Sequence, residues 1–438
     1  MSETGSNQIS VLDRHEGHAL YSAIQAMLKG LLEAEVTVAF LAGPARDPFD
    51  SLFESVRDPA VVDLLRRHEL RAQPTPTAER AVTLALHAAR QGRNAIALVP
   101  NEQLASAMRS IAQASVERLD QGGSLCLLME DRPRRCPETC PRRLVRELSL
   151  PCIEPIDVEQ LRDGMETALR LSRASAAPVG MIVHSAVLRS ASTIESRPNR
   201  VLKTVDAMLA RRRHRRRARF TESGDPLRVI RRLELNRARS LPNPGERVRI
   251  GFVTVGPVER ALQHVIHVLG LAGRVPVLQL GAVHPVDEVA VERVLGRTEQ
   301  TIVLEARPGV VESRVLEVAE MMRQRGEAPA SVWGRLLPPD EDGVYPEIRI
   351  DEAIHPSLLV RRILHLLHQI RPSVRASARL VPETGRSRAT ASPRGVTIGA
   401  PAALAAARRA AVDVDQWLRS QAAAKGDEEV PPSALAID

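Results

Sequence analysis

The chain has 438 residues, 44% apolar and 26% charged, a composition of globular domains with real cores, roughly two to three of them by length. Four cysteines do not make a disulfide scaffold, and 2% aromatic residues leave little for the base-stacking surfaces of nucleic-acid binders. No apolar run reaches the roughly 18 residues of a membrane span, and the opening MSETGSNQIS lacks the basic start and apolar stretch of a secretory signal, so a cytoplasmic protein with no membrane partner is expected.

Ala19, Ile24, Met27, Leu28 and Leu31 keep helical spacing, and the pattern then switches to the short buried run Val36-Thr37-Val38-Ala39-Phe40-Leu41, ending at Gly43. Helices are predicted over 47–67 and 79–91, strands over 95–99 and 124–129. After Pro151-Cys152-Ile153-Glu154-Pro155 come a helix over 158–174 and a strand over 179–184, completing a doubly wound α/β unit. A second unit starts with the strand 248–256 and the helix 258–269, followed by strands at 275–280 and 301–304 and a helix over 311–324. The fold class is therefore α/β, two doubly wound, mostly parallel domains with a disordered tail: 14–198, a basic linker 199–246, 247–371, and a low-complexity segment 372–438 with one short helix near 404–418.

Much of the net charge of +8 sits in Arg211-Arg212-Arg213-His214-Arg215-Arg216-Arg217. Without aromatic residues or a recognition fold, this run reads as a solvated linker helix before it reads as a nucleic-acid surface. Cys126 falls inside an apolar strand and Cys152 behind a proline at the next, positions of buried structural thiols, while Cys136 and Cys140 lie in an arginine-rich loop. One loop pair is not the double C-x₂-C pattern of a zinc site, so no metal ligands are assigned; a redox-labile pair stays open. His184, His264 and His267 read as packed or surface imidazoles, and Gly251 and Gly256 as positions of close helix packing.

Thr77-Ala78-Glu79-Arg80-Ala81-Val82 puts a carboxylate at the start of an alanine-rich helix leading into the strand 95–99. By itself Glu79 is an acidic residue that the helix dipole favours in a first turn. In chain order, however, Gly17-His18-Ala19 through Gly30-Leu31-Leu32-Glu33-Ala34, Phe40-Leu41-Ala42-Gly43-Pro44, Gly122-Gly123-Ser124-Leu125 and Leu150-Pro151-Cys152-Ile153-Glu154-Pro155 surround it. The second half adds Gly251-Phe252 with Gly256, Leu280-Gly281-Ala282-Val283-His284-Pro285-Val286, Val303-Leu304-Glu305 and Asp351-Glu352-Ala353-Ile354-His355-Pro356. Over residues 17–370 this succession resembles the alpha subunit of indolepyruvate ferredoxin oxidoreductase and its relatives among the thiamine diphosphate-dependent 2-oxoacid:ferredoxin oxidoreductases.

The resemblance implies a pyrimidine-binding-like first domain and a transketolase C-terminal-like second one. It implies that Glu79 drives the cofactor's aminopyrimidine into its imino tautomer, with Gly43, Pro44 and Asn101 as cofactor-binding residues. Two turns depart from the family: Ala42-Gly43-Pro44-Ala45-Arg46 stands where it carries Tyr-Pro-Gly-Thr-Pro, and Val99-Pro100-Asn101-Glu102 where it carries Met-Lys-His-Val-Gly. The sequence has no Gly-Asp-Gly with a following Asn for Mg²⁺ and diphosphate; Gly224-Asp225-Pro226 is a poor imitation, and closely spaced ferredoxin-type cysteines are missing. Mg²⁺ and iron-sulfur clusters are thus expected only through a partner, a diphosphate-binding-domain subunit, with ferredoxin as acceptor and a homo- or hetero-oligomeric assembly. A degenerate, non-catalytic scaffold or regulatory homologue is the alternative, and a basic nucleic-acid binder a remote one.

Overall fold

Strands that are apolar on both faces alternate with one-sided helices through most of the chain, the pattern of parallel sheets covered by helices. The computed structural model describes residues 9–43, 49–119, 122–132, 139–200, 224–306, 309–339, 345–348 and 356–370. The first half runs β1 (His18–Ser22), α1 (Ala23–Glu33), β2 (Val38–Ala42), α2 (Asp50–Ser55), α3 (Pro59–Arg67), β3 (Arg71–Thr75), α4 (Ala78–Arg90) and β4 (Asn94–Val99). It continues through a 3₁₀ turn (Asn101–Gln103), α5 (Leu104–Ser115), β5 (Ser124–Asp131), α6 (Pro141–Glu147), β6 (Cys152–Ile153), α7 (Val158–Ser175), β7 (Val179–His184), α8 (Ser185–Leu188) and β8 (Ala191–Glu195). The second half comprises α9 (Pro226–Arg232), β9 (Asn236–Arg239), β10 (Val248–Val255), α10 (Val258–Val268), β11 (Val277–Leu280), β12 (Ala282–His284), α11 (Glu288–Leu295), β13 (Thr298–Leu304), α12 (Val311–Gln324), β14 (Ser331–Trp333) and α13 (Pro356–Ile370).

The chain divides into two compact units. The first takes it through Arg260 and again from Pro276 to Arg335, and holds all three sheets. Its seven-stranded sheet has the order β12-β6-β7-β5-β4-β2-β3, parallel except for β12. The five-stranded sheet, β14-β13-β10-β11-β9, is parallel except for β9, and β1 and β8 form an antiparallel pair. The expected mostly parallel α/β fold is what forms. The second unit takes Ala261–Val275, Leu336–Ile348 and the chain from His355; its described parts include most of α10, a bridge between Leu336 and Glu347, and α13.

One core cluster joins α1, α7 and one face of the seven-stranded sheet, through residues such as Met27, Leu31, Leu98, Leu128 and Met165. The other face carries α4 and α5, whose buried Ala81, Ala85, Ala88 and Ala107 let the helices lie close to Ala97 and Leu127. A buried leucine or valine contributes about 1.5–3 kcal/mol, so these two layers dominate stability. Gly30 makes the α1–α7 crossing possible, since a Cβ there would come within 2.6 Å of the Arg162 carbonyl. The helix starts are capped as their sequences suggest: Ser22 forms a capping box with Gln25, and Asp157 accepts from the Gln160 N–H at 2.8 Å.

Several elements differ from expectation. Residues 47–67 break at Asp58-Pro59, where Asp58 caps α3 and Pro59 takes its first position. Strand β3, with Pro74 in it and no apolar alternation, is an edge strand, where proline is tolerated. Inside the stretch expected as a linker, α9 and the edge strand β9 form. Gly256, at φ +63°, faces the Glu154 carboxylate, which a Cβ would overlap, and Gly251 faces the Thr298 side chain; neither packs a helix. Pro44, Cys136, the run 211–217 and the segment 372–438 lie outside the described residues.

Candidate functional site at the carboxyl ends of the seven-stranded sheet

In open α/β sheets the parallel strands end together, and the loops beyond their carboxyl ends form the usual ligand crevice. Here β3, β2 and β4 are neighbours, so Thr75, Gly43 and Asn101 come to one edge. The Gly43 N–H donates to the Thr75 carbonyl at 2.8 Å, and the Thr75 hydroxyl donates to the Leu41 carbonyl at 3.2 Å. Helix α4 starts immediately after, with Thr77 accepting from the Arg80 N–H at 3.3 Å.

Glu79 lies in the first turn of α4, and its side chain is exposed. The physical reason is the helix phase: Ala78, Ala81, Val82 and Ala85 take the buried stripe, leaving Glu79 and Arg80 outward. A buried carboxylate in contact with a cofactor therefore requires something further to cover this face. Asn101 has the opposite environment. Its side chain is fully buried, and neither amide atom has a hydrogen-bond partner in the structure. Its backbone N–H donates to Glu130 at 3.2 Å. Such a buried amide, with donor and acceptor unspent, is costly unless something binds it.

Gln103 ties these strand ends together. Its Oε1 accepts from the Ala78 N–H at 2.7 Å, and its Nε2 makes a longer contact of 3.5 Å to the Gly43 carbonyl. The short turn 101–103 is itself pinned from the end of β5: Arg132, just past the strand, pairs with Glu130 and reaches Glu102 at 3.0 Å. Glu130 and Arg132 are both fully buried; burial raises the Glu130 carboxyl's pKa, against the pull of Arg132 and the Asn101 N–H.

Further along the same edge, Arg142 from α6 donates through Nε to Glu154 at 2.8 Å and lies 3.8 Å from Asp131. Burial opposes the guanidinium's charge, and Glu154 and Asp131, with Glu305 behind them, more than restore it, so its pKa is raised. Glu305 accepts the N–H groups of Gly309, Val311 and Glu312 at the start of α12. His184 ends β7 and caps α8, its Nδ1 accepting from the Ala186 N–H at 3.0 Å; His264 and His267 are exposed.

The structure thus brings Gly43, Glu79 and Asn101 to one edge of the sheet. Reading the sequence missed Gln103 and the charged row Glu130, Asp131, Arg132, Arg142, Glu154 and Glu305. A signal existed for part of it: Glu130-Asp131-Arg132 closes an otherwise apolar strand, an unusual place for three charges. Cys126 and Cys152 are fully buried, on opposite faces of the sheet. Among the described residues, no three His, Cys, Asp or Glu side chains converge as a metal site, and no helix is long and apolar enough to cross a membrane.

No protein-family model and no curated protein sequence matches the chain. Among solved structures it is similar to a 2-oxoglutarate:ferredoxin oxidoreductase from Magnetococcus marinus, with 10% identity and a TM-score of 0.54 over 80% of this chain. The chain spans 65% of that protein's chain. At this identity the likeness is one of fold, and the two share a mixed, mostly parallel α/β architecture.

An acidic side chain at a helix start and an unpartnered buried amide at the next-but-one strand end offer the hydrogen-bonding chemistry that an aminopyrimidine needs.

Proposed function

We propose that the chain is an alpha-type subunit of a thiamine diphosphate-dependent 2-oxoacid:ferredoxin oxidoreductase, cytoplasmic, acting on an indolepyruvate-like substrate. The observation that carries this reading is the convergence of Glu79, Gly43 and the unpartnered Asn101 amide at adjoining strand ends. The fold shared with a 2-oxoacid:ferredoxin oxidoreductase supports it.

When bound, thiamine diphosphate supplies the nucleophilic carbon and electron sink that 2-oxoacid decarboxylation requires. In this reading Glu79 holds a proton at the pyrimidine ring nitrogen and so favours the imino tautomer. Asn101 orients the ring by donating from Nδ2 and accepting at Oδ1, and Gly43, with no side chain, lets the ring approach the backbone. A partner subunit with a diphosphate-binding domain covers the exposed Glu79 face, excludes water from it, and supplies Mg²⁺ ligands and the iron-sulfur relay to ferredoxin. The second reading, a non-catalytic scaffold or regulatory homologue, draws on the altered sequence segments 42–46 and 99–102, which lack the family's hydroxyl, lysine and histidine side chains.

Calorimetric titration with thiamine diphosphate and Mg²⁺ separates the two. The chain alone is expected to bind weakly or not at all, and tight binding is expected once a diphosphate-domain partner is added through a large, apolar interface. Failure to bind even in the assembled complex favours the scaffold.

A further inference from the structure

We infer that Gln103 is a positioning residue that sets the height and orientation of Glu79 above the sheet, an inference that rests on reading this edge as a pyrimidine site. The first turn of a helix carries four N–H groups without intrahelical partners, and their acceptors fix how the turn sits. In α4 one acceptor is local, the Thr77 hydroxyl taking the Arg80 N–H. The other is not: the Ala78 N–H, immediately before Glu79, goes to Gln103 Oε1 at 2.7 Å, from a turn 25 residues further along the chain. The same amide's Nε2 faces the Gly43 carbonyl, so one side chain spans the ends of β2, β3 and β4.

What makes Gln103 a reference point is the rigidity behind it. Its turn is held from the end of β5 by the Asn101 N–H on Glu130 and by Arg132 bridging Glu130 and Glu102. Glu130, at the end of β5, and Arg132, just past it, are closed off from water, where such contacts are strong and hard to rearrange. The buried, unpartnered Asn101 amide opens that same turn. The 101–103 turn therefore offers one polar group to a ligand directly and locates the Glu79 carboxylate through another. Binding constellations demand placement to about 0.5 Å, and exposed Glu79 has no packing of its own to provide it.

The test uses the full chain and 4-amino-5-hydroxymethyl-2-methylpyrimidine as probe, titrated by saturation-transfer NMR, with thermal melts in parallel. Wild type is expected to bind weakly, Glu79→Gln to lose binding, and Gln103→Leu to bind at least fivefold more weakly while folded. Ser106→Ala, which removes a hydroxyl bond of 2.9 Å to the Gln103 carbonyl without touching Ala78 or Gly43, serves as the structural control and should leave affinity unchanged. Should Gln103→Leu fail to fold, Gln103→Asn keeps the polarity but is too short to bridge, and should show the same loss. Wild-type affinity in a folded Gln103 variant overturns the positioning role alone. Binding indifferent to Glu79→Gln overturns the pyrimidine reading itself, as does an absence of pyrimidine binding by wild type both alone and in the assembled complex with a diphosphate-domain partner.

Discussion

Arg142 grips the Glu154 carboxylate with two nitrogens, Nε to Oε2 at 2.8 Å and Nη2 to Oε1, with both side chains shut away from water. The pair is one link in a row in which a single guanidinium faces three carboxylates, those of Glu154, Asp131 and Glu305. Removing one partner of a buried pair leaves a bare charge and costs about 3–5 kcal/mol. Arg142→Met should reach that range, because it strips the counter-charge from all three acids. Glu154→Gln should cost less, since Asp131 still faces the guanidinium. Urea denaturation of both variants checks the order, and an equal or reversed order removes Arg142 as the hub.

Glu305 gives the protein a pH dependence of definite sign. Burial raises its carboxyl above the ordinary 4.5, although Arg142 and three backbone N–H groups pull the other way. The folded state therefore holds a proton that the unfolded chain has already released. Its contribution to stability is complete below pH 4.5 and is lost as pH rises through the folded value. Denaturation midpoints measured upward from that pH should fall for wild type and fall less steeply for Glu305→Gln. Parallel slopes would show that the carboxyl stays ionised.

Glu79 is exposed, so Glu79→Gln should change folding stability by no more than about 0.5 kcal/mol. In a reconstituted complex with a diphosphate-domain partner, the same substitution should lower turnover by about two powers of ten. Wild-type turnover in that variant removes Glu79 from the chemistry.

The cysteines should separate by burial. Burial pushes the Cys126 thiol up to about 12 and Cys152 well above its ordinary value, so neither offers a thiolate to an alkylating reagent at mildly alkaline pH. Cys140, partly exposed, should react first among these three. Elemental analysis of anaerobically prepared protein should return no stoichiometric metal. One zinc or an iron-sulfur chromophore per chain, lost on changing Cys136 and Cys140 to serine, would establish a site there.

Much of the fold was legible because buried parallel strands write themselves as continuous apolar runs, as at 95–99, 124–129 and 179–184. Strand β3 was not, since Arg-Ala-Gln-Pro-Thr carries neither an apolar run nor alternation and owes its conformation to pairing with β2. Strand β12 is three residues long, below what any periodicity can reveal. At the site, Glu79 and Asn101 were named through the family resemblance, which gave their positions but not their surroundings. Gln103 was not: its two partners are distant in the chain, and only the strand order brings them near. The environments of Glu79 and Asn101 were equally hidden, because helix phase exposes one and sheet packing encloses the other.

The step from β11 to β12 at Gly281 carries the chain out of the five-stranded sheet and onto the free edge of β6, where the Glu154 N–H meets the Gly281 carbonyl at 2.8 Å. A nascent chain leaving the ribosome cannot finish its first sheet until residue 284 has been made, long after the other six strands exist. A fragment cut anywhere in 199–246 would carry β6 as an open edge, an invitation to pair with another molecule. The two halves, however separate they look in sequence, should be expressed, moved and recombined as one piece.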